Sequence, residues 1–112
     1  MLKICLIKTS INSKSAARRL AERLVETKLA ACIQISKGRS VYRWQGKLEK
    51  EREYFLAIKT APSLCERVIA QLKHDHPYDL PEITCTELDT TDNYGSWVYA
   101  EVNASIVAST QE

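Results

Sequence analysis

A strand–helix–strand pattern occurs twice in this chain, and that repetition limits the fold more than any other feature. Ile4–Thr9 is a short apolar run rich in β-branched residues, the mark of a buried strand. Ser10–Ser13 brings turn chemistry, with Asn12 or Ser13 as the helix cap. Ala16, Ala17, Leu20, Ala21, Leu24 and Val25 then recur at helical spacing, with Arg18, Arg19, Glu22, Arg23 and Glu26 mostly on the other side, which predicts a helix over Ser13–Lys28. Ala30–Ser36 is the strand that closes this first unit. In the second unit Tyr54–Ile58 is apolar, Pro62 sits where a helix start tolerates it, and Leu64, Cys65, Val68, Ile69 and Leu72 repeat the stripe. Glu82–Leu88, with Ile83, Thr84 and Thr86, is the closing strand. The two units are offset by about 50 residues and share a pattern but no sequence repeat. Asp89–Asn93 reads as a polar loop, Tyr94–Val102 as a last helix, and Ser105–Glu112 as a fraying tail.

The stretch joining the units is a hairpin. Gly38 interrupts the strand, Ser40–Trp44 resumes it, and Gln45-Gly46 is a tight-turn signal. A long strand from Lys47 to Thr60 follows, charged and alternating over Lys47–Glu53. Two such units joined by a hairpin specify a single α+β domain over residues 1–112, with its core over about 3–103. Its arrangement is the ferredoxin-like split β-α-β, an antiparallel sheet with helices on one face. The other face and the long hairpin arms would stand exposed in a lone subunit. The chain is therefore expected to assemble with copies of itself, the arm around Val41–Glu53 lying against another subunit. Tyr42 and Trp44 support this, because such rings seek burial.

Charge and motif content exclude several functions. A net charge of +2 is too small to argue for nucleic acid or an anionic membrane, and no apolar run approaches the ~20 residues of a membrane span. The single phenylalanine, Phe55, is too little for an RNA-stacking sheet. No phosphate-binding loop of the G-x-x-x-x-G-K-[ST] type is present, and no nucleophile stands with a base and an orienter, so the chain does not read as an enzyme. Met1–Cys5 is a poor signal peptide and a good first strand. Cys5, Cys32, Cys65 and Cys85 are widely spaced with no C-x-x-C pair, and read as reduced thiols of a cytoplasmic protein. Cys5, Cys65 and Cys85 each read as core residues.

The densest polar segment is His74–Glu82, with two imidazoles, three carboxylates and a phenol around Pro77 and Pro81. The prolines prevent a helix from continuing and hold the path extended. It ends the second helix and aims the fourth strand.

Three blocks in order resemble the CutA family of divalent-cation tolerance proteins: Leu29-Ala30-Ala31-Cys32-Ile33-Gln34-Ile35, Tyr42-Arg43-Trp44-Gln45-Gly46-Lys47-Leu48-Glu49, and His76-Pro77-Tyr78-Asp79-Leu80-Pro81-Glu82. Tyr94 and Trp97 resemble the family's closing aromatics. The sequence departs from the common pattern at Gln34, Gln45, Asp79 and Gly95, where asparagine, glutamate, glutamate and leucine are usual.

The resemblance implies a homotrimer held by sheet pairing through the hairpin residues Tyr42, Trp44, Gly46 and Glu49. It also implies a role in tolerance of divalent cations, copper above all. No cofactor is obligatory; copper or another divalent cation is the ligand to test. Soft thiolate suits Cu(I), and imidazole suits Cu(II). The ligand types on offer are Cys32, His74, His76, Asp79 and Glu82, with His74 and His76 on one side if the segment is extended. Each has a plainer reading: a packed thiol for Cys32, hydrogen-bonding groups for the histidines, and partners for backbone amides or Lys and Arg for the carboxylates. Tyr78 and Trp97 would border a cleft between subunits. Two other functions fit the same architecture: a small-molecule signalling module similar to the PII proteins, with ligands in the inter-subunit clefts, and a stable trimeric scaffold.

Overall fold

The hairpin sets the shape of the molecule. The computed structural model describes residues 1–106; the expected fraying of the tail lies, from residue 107 onward, outside the described residues. The elements are β1 (Leu2–Ile11), α1 (Lys14–Glu26), β2 (Cys32–Trp44), β3 (Lys47–Thr60), α2 (Cys65–Asp75, entered through a single 3₁₀ turn at Pro62–Leu64), β4 (Thr84–Thr90) and α3 (Asp92–Glu101). The strands lie in the order β2-β3-β1-β4, every neighbour antiparallel. This is the split β-α-β sheet expected from the two units. The radius of gyration of 15.2 Å exceeds the roughly 13 Å of a compact chain this long, because β2 and β3 carry the molecule to 48 Å in its long direction.

Local chemistry sets the boundaries. Ser13 is the cap of α1, its Oγ accepting from the Ala16 amide at 3.2 Å. Lys28 takes a left-handed φ of 60° after α1, and Leu29 N–H donates to Leu24 C=O at 2.9 Å, closing the helix end as a Schellman motif. Gln45 and Gly46 have φ of 50° and 82°, the pair of positive values that a two-residue type I′ hairpin requires.

The strand does not break at Gly38. β2 runs through it, because the Phe55 ring on β3 covers the bare Cα; a Cβ there would meet Phe55 Cε2 at 2.5 Å. A small residue under a cross-strand aromatic keeps the ladder continuous. The polar loop expected at Asp89–Asn93 is also shorter. β4 continues to Thr90, paired with Leu2, and the Lys3 ammonium holds Asp89 at 2.7 Å, so α3 starts at Asp92.

The helices α1 and α2 cover one face. Cys5, Ile7 and Ile11 of β1 and Leu56 and Ile58 of β3 meet Ala17, Leu20, Ala21 and Leu24 of α1 and Val68 and Leu72 of α2. The opposite face is not fully open, as the pattern had suggested. Ile4, alternating away from Cys5, packs with Val98, Tyr99 and Val102, so α3 closes one end of it. Tyr99 Oη donates to the Lys3 carbonyl at 2.7 Å and fixes that helix on β1.

Gly95 explains one departure from the usual family pattern. A Cβ there would lie 2.8 Å from Leu2 Cδ1 and 2.9 Å from Leu2 Cβ. Leu2 occupies the space that a side chain on α3 would need. Gly95→Leu is therefore expected to lower the unfolding free energy by about 3 kcal/mol through overpacking, although leucine is the better helix former. Adding Leu2→Ala should restore most of that loss. Urea denaturation of both single variants and the double reads the coupling; additive losses would contradict the packing account.

Candidate functional site

The segment His76–Glu82 crosses from the end of α2 to β4 and lies beside the root of the hairpin. Its first residue is structural. His76 is buried, 8 % exposed, and its Nε2–H donates to the Ser10 carbonyl at 2.8 Å across 66 residues of sequence. Its Nδ1 accepts from the Tyr78 amide at 3.2 Å. A carbonyl can only accept and an amide N–H can only donate, so the partners fix the tautomer and occupy both ring nitrogens.

His74 is elsewhere. It belongs to the last turn of α2, its side chain is 79 % exposed, and its Nδ1 lies 2.8 Å from Asp75. The two imidazoles therefore do not share a side. The expected extended geometry begins only at His76, because α2 persists to Asp75.

Tyr78 stands edge-on to His76, ring centroids 4.7 Å apart, and its Oη donates to Glu53 Oε2 at 2.7 Å. Glu53 is the residue that sequence reasoning missed as a site group. It looked like one charge in an exposed run, yet it is 4 % exposed. Gly38 opposite it and Tyr78 above it leave the carboxylate room to lie inward. One strand step outward Glu51 accepts from Tyr42 Oη at 2.8 Å. Alternation puts Glu49, Glu51 and Glu53 on one side of β3.

Together with Ser10, Asn12, Tyr42, Trp44, Asp79 and Glu82 they line a groove of about 660 Å³. Five of its lining residues are carboxylates, and among the described residues none of the five is ion-paired to Lys or Arg. Among the described residues Arg43 is the one cationic residue on its wall.

The phenols report this field. Burial, reinforced by the Glu53 carboxylate, pushes Tyr78 well above the ordinary phenol range. The hydrogen bond to Glu51 pushes Tyr42 up to about 12. A raised phenol pKa favours the folded state while the proton is held. The stability from this source is complete below the ordinary value of 10.0 and is lost as pH rises through about 12 and beyond. We expect the urea midpoint to fall steeply between about pH 10 and 12, and Tyr78→Phe to flatten part of that fall while leaving the neutral-pH profile shape unchanged. An identical slope in the variant would show that Tyr78 does not carry it.

Cys32 and Trp97 lie at the other end of the sheet. Cys32 pairs with Lys59 across β2–β3, and Tyr94 lies nearby, its phenol pushed up by burial first and then by the Cys32 thiol. Tyr94 in turn stands 5.6 Å from Trp97, with the Lys59 ammonium 5.6 Å from its ring. Lys59 lies six positions along β3 from Glu53, roughly 20 Å. One chain therefore joins Tyr78, Asp79 and Glu82 in the groove and leaves Cys32 and Trp97 outside it. Among the described residues no three His, Cys, Asp or Glu side chains converge closely enough to hold a metal ion.

The hairpin residues face outward. Tyr42 and Trp44 are 38 % and 40 % exposed, and Val41 and Leu48 more so. Aromatic and aliphatic surface on projecting arms is a surface for association.

A ferredoxin-like sheet with an overlong hairpin and a carboxylate groove at its root defines a class of small self-associating α+β proteins. Within that class this chain belongs to the CutA1 divalent ion tolerance protein family, whose profile matches residues 5–101. It is 40% identical over 90 residues to the divalent-cation tolerance protein CutA of Pectobacterium atrosepticum, covering 79% of this chain and 82% of that one. The fold superimposes on the structure of CutA from Synechococcus elongatus with a TM-score of 0.87 at 30% identity, covering 91% and 92% of the two chains. A periplasmic divalent cation tolerance protein CutA from Archaeoglobus fulgidus matches with a TM-score of 0.85 at 30% identity, covering 88% and 98%.

Proposed function

We propose that the chain acts as a homotrimeric divalent-cation tolerance protein that binds copper or another divalent cation weakly, without catalysing a reaction. The observation that carries this reading is the set of five groove carboxylates with no ion pair to Lys or Arg among the described residues. Oxygen ligands on a polar wall attract divalent cations, and their spread keeps the affinity low. Asp79 and Glu82 are the accessible ligands from the connector, with Glu49 across the groove. Cys32 and His74 would join such a site only through another subunit, and His76 only by giving up its fold contacts. The exposed hairpin and the family's name support self-association and a role in cation tolerance. A cytoplasmic location belongs to the same reading and rests on four free cysteines. No helix among the described residues is long and apolar enough to cross a membrane.

The test is calorimetric titration of Cu(II) into the wild type and into a variant carrying Glu49→Gln, Asp79→Asn and Glu82→Gln. The variant is expected to lose at least tenfold in affinity, about 1.4 kcal/mol. Unchanged binding would overturn the groove as the site. Cys32→Ala and His74→Ala, titrated alongside, test the remaining ligands.

A further inference from the structure

The groove face of the hairpin carries two different columns of side chains. Register and alternation put Tyr42 and Trp44 of β2 on the same side as Glu49, Glu51 and Glu53 of β3. The two inner carboxylates each have one neutral donor. Tyr42 Oη donates to Glu51 Oε1 at 2.8 Å, and Tyr78 Oη donates to Glu53 Oε2 at 2.7 Å. Among the described residues neither carboxylate is paired with Lys or Arg, and the second oxygen of each accepts no hydrogen bond. For Glu53, only 4 % exposed, that leaves a buried carboxylate without a counter-charge, which is costly unless a cation faces it. Thr9 Oγ1 is the one buried side-chain oxygen sealed away without a partner among the described residues, so Glu53 Oε1 is open to the groove that Glu53 lines.

We propose that the groove takes a linear aliphatic polyamine, its ammonium groups on Glu53 and Glu51 and its methylenes against Tyr42, Trp44 and Tyr78. The proposal rests on the groove being a cation site and assigns it a different class of cation. A metal ion needs several oxygens within about 2.5 Å of one point. Glu51 and Glu53, two residues apart on a strand, are spaced by roughly 7 Å, and no three acidic, His or Cys side chains converge among the described residues. A polyamine instead spreads its charge along a chain. Amines joined by four methylenes lie about 6 Å apart, close to the step of the carboxylate column. Each ammonium has three donors and no acceptor, which suits the free oxygens of Glu51 and Glu53. The aromatic column gives the methylenes apolar surface and the ammonium groups ring faces to lie over. Asp79 and Glu82 add negative charge from the connector wall. Arg43, paired with Leu48 near the turn, ends the cationic tract at its outer side.

The experiment is calorimetric titration of spermidine into the full chain at neutral pH and near-physiological salt, with butylamine and Mg(II) as competitors. The wild type should bind spermidine at least tenfold more tightly than butylamine, and equimolar Mg(II) should leave it bound. Binding should change Trp44 fluorescence, and Trp97→Phe should keep that change because Trp97 lies outside the groove. Glu51→Gln and Glu53→Gln, which preserve an acceptor for each phenol, should each lower spermidine affinity at least fivefold. Melting curves taken without ligand exclude unfolding as the cause, and the half-buried Glu51 carries the test if Glu53→Gln unfolds. No binding at millimolar spermidine, equal affinity for butylamine, full displacement by equimolar Mg(II), or unchanged affinity in Glu51→Gln would each overturn the proposal. Neither glutamate is altered in the Cu(II) variant. Spermidine binding without Cu(II) binding therefore counts against the metal reading alone, and Cu(II) binding without spermidine binding counts against the polyamine alone.

Discussion

Removing Val41–Lys50 and joining Ser40 to Glu51 through an Asn-Gly turn converts the assembly to monomers or aggregates on a sizing column. Ser40 and Glu51 are cross-strand partners, so the graft preserves register, and Asn-Gly supplies the positive φ values that Gln45-Gly46 supplies now. The excised segment carries Val41, Tyr42, Trp44 and Leu48, all exposed in the single chain. It lies beyond the core that α1 and α2 make with the base of the sheet, so the fold of the monomer should survive as judged by far-ultraviolet circular dichroism. Glu53 remains, and with it the Tyr78 contact. A variant that still elutes as a trimer would show that the hairpin does not hold the subunits together.

His76→Ala is expected to destabilise the fold by about 2–4 kcal/mol. The substitution strands the Ser10 carbonyl, removes the acceptor of the Tyr78 amide and deletes the edge contact with the Tyr78 ring. His76→Gln keeps a donor within reach of Ser10 and should recover part of the loss. The measurement is chemical denaturation at fixed protein concentration, because an oligomer's stability depends on it. If His76→Ala instead left stability intact and lowered copper affinity alone, the imidazole would be a ligand and its structural role would be wrong. The groove should also loosen in this variant, since His76 positions Tyr78 and through it Glu53. A smaller alkaline fall in stability would follow.

The residues differ in how far sequence could place them. Ser13 as a cap, the Gln45-Gly46 turn and the stripe of α1 are local features, and each stands where the sequence puts it. The end of β2 was misjudged at Gly38 because the covering ring, Phe55, comes from the facing strand. The alignment of His74 with His76 failed because α2 persists to the residue between them. Glu53 could have been noticed as the one acidic residue in line with both the small Gly38 and the aromatic connector, but only once the register was known.

What the sequence by itself determined was the list of elements, their order and the ferredoxin-like sheet they form. Helical and strand periodicity, proline, glycine and cap residues act over a few neighbours, and right-handed crossovers leave few ways to join two such units. What only the tertiary structure decided was which polar groups meet. His76 finds Ser10 and Tyr78 finds Glu53, across gaps of 66 and 25 residues. Those meetings follow from strand register and helix docking, where a shift of one residue turns every side chain to the other face. The sites of this protein are built from such contacts, so they became visible only with the folded chain.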